Sequence, residues 1–63
     1  MNLKNEKRVA QKVKDACIRA AKEGFQDASM SGLCSEGAME AAVGAMQSLD
    51  IENIVAEARE DKP

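Results

Sequence analysis

Ser31-Gly32-Leu33-Cys34-Ser35-Glu36-Gly37 divides two alanine-rich stretches, each carrying an apolar stripe at helical spacing. Glycine adopts the left-handed conformation that ends a helix at no steric cost, so Gly32 is the expected stop of the first stretch. Leu33 follows it as a hydrophobic latch that folds back, and Ser35 is placed to cap the next helix. The chain therefore reads as all-α, an antiparallel helical hairpin with its turn at 32–35.

Upstream of the turn, either Asn2 or Asn5 can cap a first helix expected over 3–31. At 100° per residue Val9, Val13, Cys17, Ala20, Gly24 and Ala28 make one broad face, with Ala10, Ala21 and Phe25 along its edge. Lys4, Arg8, Lys12, Arg19 and Lys22 gather almost opposite, and Asp15 lies among them, spaced to pair with Arg19 one turn on. Gly24 interrupts this helix without ending it, because the stripe continues in register through Phe25 and Ala28. Its cost is about 1 kcal/mol, and its small size on the buried side suits close helix packing.

Downstream, a second helix is expected over 36–49. Ala38, Met39, Ala42, Ala45, Met46 and Leu49 form its apolar face, and the two methionines read as adaptable core filler. Gly37 and Gly44 fall on the exposed or flanking side. After Leu49 the stripe changes phase: Ile51, Ile54, Val55 and Ala58 are rotated by roughly 160° from the preceding face, so one straight helix would turn them to solvent. The chain must break near Asp50, a competent N-cap for a short third helix over 51–60 that packs on the hairpin or crosses to a partner. The charged tail from Glu60 to Pro63 is expected to fray.

Sixty-three residues form a single domain, 1–63, near the size at which a lone core supplies only a few kcal/mol of net stability. Of its 28 hydrophobic residues 11 are alanine and 2 are cysteine, and Phe25 is the only aromatic. At about 25 cal/mol per Å² of apolar area, a hairpin built on alanine gains modestly by closing on itself. Pairing two copies buries both apolar faces, so a homodimer of the four-helix type is the expected assembly. Val9, Val13, Cys17, Phe25, Met39, Met46 and Leu49 are the residues expected to carry core and interface, with Gly32 and Leu33 shaping the turn.

The net charge is −2, but residues 1–22 carry +5 and residues 23–63 carry −7. Opposite halves favour lying against each other, within a chain or between antiparallel partners. A basic first helix also suits nucleic-acid phosphates, but the interleaved Asp15, the lack of a stacking aromatic on that face and the acidic total argue against it. No run approaches the roughly 20 apolar residues of a membrane span. Two cysteines without a secretory leader point to the reducing cytoplasm, with both as thiols; in the hairpin they lie about 20 Å apart, too far to bridge.

No motif in the sequence carries identifiable catalytic chemistry. Cys34, beside a helix start whose amides lower a thiol's pKa, is the one speculative reactive residue, and there is no histidine to serve as its base. Glu36 and Glu40, one turn apart, lack the converging ligands of a metal site, and no cofactor is indicated. Binding is thus favoured over catalysis. The run Ala16-Cys17-Ile18-Arg19-Ala20-Ala21, then Ser31-Gly32-Leu33-Cys34, Glu36-Gly37, Glu40-Ala41-Ala42 and Leu49-Asp50 resembles a group of short bacterial helical proteins, over about residues 9–50. That group has an aromatic in place of Met39 and a histidine in place of Ser35, and some members are labelled acetyltransferases. The label does not transfer as an activity, because an acetyltransferase fold needs a mixed sheet and an acyl-CoA cradle, for which this chain has neither strands nor length.

The expected function is accordingly a small homo-oligomeric protein–protein interaction module, which can also present its charged faces to another protein. The alternative is a thiol- or acyl-handling protein centred on Cys34, and nucleic-acid binding stands third.

Overall fold

The computed structural model describes residues 3–60, which form three helices: α1 (Leu3–Met30), α2 (Ser35–Gln47) and α3 (Ile51–Glu60). Asn2, one of the two candidate caps, and the tail 61–63 lie outside the described residues. Asn5 is not a cap, because α1 already runs through it. Strong helix formers fill α1, and Glu6 sits in its first turn, where the helix dipole favours an acid.

The first break between helices is set by Gly32, whose φ is +95°. Its amide donates to the Ser29 carbonyl (3.0 Å) and the Leu33 amide reaches back to the Ala28 carbonyl (3.0 Å). These two bonds are the paired closure of a Schellman C-cap, and they satisfy carbonyls that the helix end would leave bare. The Ser31 hydroxyl donates to the Asp27 carbonyl (3.0 Å), adding to the same closure.

The second break falls where the stripe changes phase. α2 stops at Gln47, two residues before the expected Leu49; the Ser48 hydroxyl donates to the Gly44 carbonyl (2.9 Å), alongside the Ser48 amide (3.0 Å). Such local bonds tie up the end of the ladder. Asp50 then caps α3: its Oδ1 accepts the Asn53 amide (3.0 Å) and its carbonyl the Ile54 amide (3.1 Å). Glu52 in the first turn and Arg59 in the last complement the α3 dipole.

α1 is the spine of the molecule. Both α2 and α3 pack against it, and α3 meets α1 without packing on α2. The body measures 45 × 16 × 16 Å between Cα atoms, and its long dimension is that of a 28-residue helix at 1.5 Å per residue. No described helix is long and apolar enough to cross a membrane.

The core departs from expectation in its chemistry. The buried hydrophobic residues among those described are Ala28, Ala38, Ala42 and Ala58, and no large side chain is fully buried. Val9, Val13, Cys17, Met46 and Leu49 are half-buried, whereas Phe25 and Met39, both expected inside, are 39% and 60% exposed. Gly24 explains the displacement. A Cβ added there would stand 2.9 Å from the Ala41 carbonyl oxygen, 3.1 Å from Ala45 Cβ and 3.2 Å from Ala42 Cα. With the backbones that close, only methyl groups fit between the helices, and longer side chains are pushed to the flanks.

Three glycine-to-alanine substitutions separate these roles. Gly32→Ala must hold a left-handed φ and should cost about 1 kcal/mol, with Gly32→Val costing more. Gly24→Ala forces the α1–α2 seam apart and should also destabilise. Gly44 lies in α2 with nothing within 4 Å of an added Cβ, so Gly44→Ala should stabilise by about 0.5–1 kcal/mol. Thermal melts of the three variants check the signs; a destabilised Gly44→Ala or a neutral Gly24→Ala contradicts the packing described.

Candidate functional site

The turn between α1 and α2 brings together the features with chemical potential. Cys34, not Ser35, is the N-cap of α2: its φ and ψ of −71° and 173° are extended, and its carbonyl accepts the Ala38 amide at 2.8 Å. The helix begins one residue earlier than the sequence indicated because Ser35 itself takes helical geometry. No side-chain hydrogen bond closes this cap. The amides of Gly37 and Glu36 nevertheless point toward the exposed sulfur, and they hold the Cys34 thiol below its usual pKa. A weak acceptor thus stands where a Ser or Asp oxygen normally would.

Leu33 completes the turn. Its Cδ2 lies 3.1 Å from the position a Cβ would take at Gly37, so the side chain rests over the first turn of α2. That contact gives Gly37 a packing reason that its flanking position alone did not reveal. Leu33 is still 48% exposed.

The sequence contains no histidine, and no group of three or more His, Cys, Asp or Glu among the described residues can hold a metal ion. Cys17 and Cys34 are both free, Cys17 half-buried on the inner face of α1. Among the described residues, shallow hollows lie along α1 between Asp15, Ile18 and Gln26 and along α3 between Ile51, Val55 and Arg59. On the basic face Asp15 meets Gln11 rather than Arg19: its Oδ1 accepts from Gln11 Nε2 at 3.1 Å.

A second feature is the set of large apolar side chains left outside. Ile18 (44%), Phe25 (39%), Met39 (60%) and Val43 (42%) are all exposed, and Met46 is half-buried. Ile18 and Val43 were not on the stripes read from sequence, since each stripe was centred on the smaller residues beside them. Their signal is nonetheless present as spacing: Ile18 and Phe25 are seven apart on α1, and Met39, Val43 and Met46 follow at four and seven on α2.

No family model matches the chain, and no curated protein or solved structure matches it.

The Cys34 cap has a direct chemical test. In the folded protein, iodoacetamide at neutral pH should alkylate Cys34 several-fold faster than Cys17, because Cys34 is exposed and its thiolate is favoured. Its rate should reach half-maximum at a lower pH than in the urea-unfolded chain. Equal rates at the two cysteines, or an unshifted pH profile, would contradict the geometry of the cap.

Proposed function

We propose that this protein is a small homo-oligomeric interaction module of the cytoplasm: α1 and α2 form an antiparallel hairpin, α3 extends it along α1, and two copies join in a four-helix-type assembly. One observation carries the reading. Every buried hydrophobic residue among those described is an alanine. An alanine methyl contributes well below the ~1.5–3 kcal/mol gained on burying a Val, Leu, Ile, Phe or Met side chain, so this seam alone is a thin core for 63 residues. No large apolar side chain is fully buried, and Ile18, Phe25, Met39 and Val43 are exposed where a second copy can bury them. Gly24 beside Ala41, Ala42 and Ala45, with the left-handed Gly32 between the two helices, supports the antiparallel arrangement within each copy.

A second reading places thiol or acyl chemistry at Cys34. It is favoured by the exposed sulfur at the start of α2 with its lowered pKa, and by the resemblance to short proteins labelled acetyltransferases. It needs a proton acceptor from outside the turn, which a second subunit or a substrate would have to bring.

The two readings part in solution. For the interaction module, light scattering across a dilution series should give a dimer or higher assembly, with helicity by circular dichroism falling as the mass falls. A helical monomer at every concentration would overturn self-association and leave the Cys34 reading in place.

A further inference from the structure

The apolar flank of the molecule is more ordered than a scatter of exposed residues. Along α1 and α2 five large apolar residues directly follow a residue of the seam: Ile18 follows Cys17, Phe25 follows Gly24, Met39 follows Ala38, Val43 follows Ala42 and Met46 follows Ala45. The residues that precede the seam are different in kind. Lys12 precedes Val13, Glu23 precedes Gly24, Asp27 precedes Ala28, Gly37 precedes Ala38 and Gly44 precedes Ala45. In an antiparallel helix pair, positions just after the seam on both helices fall on one flank, and positions just before it fall on the other. The hairpin thus has one flank of large apolar groups and one of glycines and charges.

We infer that the flank made by Ile18, Phe25, Met39, Val43 and Met46 is the surface on which a second copy of this chain docks; this rests on the self-association proposed above. Composition argues for that occupant, because methionine and phenylalanine are enriched in interface cores while glycine and charge fit an open rim. Charge completes the case: with +5 on residues 1–22 and −7 on residues 23–63, antiparallel packing of helices from two copies places unlike charges along the rim of the same face. The glycine-and-charge flank stays in water.

Two charge insertions on opposite flanks test the assignment. Val43→Glu should weaken the dimer at least tenfold, read as the concentration at which the scattering mass halves. Gly44→Glu, one residue along α2 and with open space at its Cβ, should leave that concentration unchanged. Phe25, the sole aromatic, supplies a readout on the unmodified protein. In a mixture of isotope-labelled and unlabelled chains, intermolecular Overhauser contacts from its ring to methyls of Ile18, Met39 or Val43 of the partner are expected. A dimer that survives Val43→Glu, or that shows no intermolecular contact to the Phe25 ring, overturns the flank while leaving self-association intact. A wild-type chain that is monomeric throughout overturns both. If Val43→Glu loses its helicity, the Phe25 contacts in the wild type decide.

Discussion

The close approach of α1 and α2 at Gly24 is the constraint on which the rest of the structure depends. With the α2 backbone standing 2.9–3.2 Å from where a Cβ would be, the seam admits only small residues, and Ala28, Ala38 and Ala42 fill it. Close-packed interiors tolerate little volume change, so one glycine sets the size of its neighbours over several turns. The same closeness displaces Phe25 and Met39 from the inside to the flank. Core chemistry and surface chemistry are thus two results of one distance.

Much of this was legible in the sequence. Gly32 is left-handed, as the stop of an apolar stripe before Leu33 implies, and Asp50 caps α3 where the stripe changes phase. Both follow from local chemistry that acts within a turn or two of the residue concerned. The packing side of α3 was not legible. Its stripe fits a fold back on the hairpin or a crossing to a partner equally well, and only the contact with α1 decides. The ranking of alanine over methionine in the seam was also hidden. Helical periodicity gives the direction of a face, whereas interaxial distance decides which residues on that face are covered, and that distance is a property of two helices together.

The candidate site shows the same division. That Cys34 stands near a helix start was visible, but the shift of the cap from Ser35 to Cys34 depends on one residue's backbone angles, below the resolution of pattern reading. That shift matters chemically, because it puts the sulfur itself before the amides of Gly37 and Glu36. Ile18 and Val43, both exposed, are hidden from pattern reading because a stripe centred on alanine makes the residues beside it edge. A thin core and a rich flank belong together: the large side chains that the alanine seam has no room for are the ones left exposed.

Proton–proton Overhauser contacts from the Gly24 α-protons report on the alanine seam itself. Contacts to the protons of Ala41, Ala42 and Ala45 are the predicted result, since all three lie within van der Waals reach of this position. Contacts from Gly24 to the methyl groups of Met39 or Met46 in place of the alanines would contradict it, placing the large side chains in the seam and removing the reason for the exposed flank.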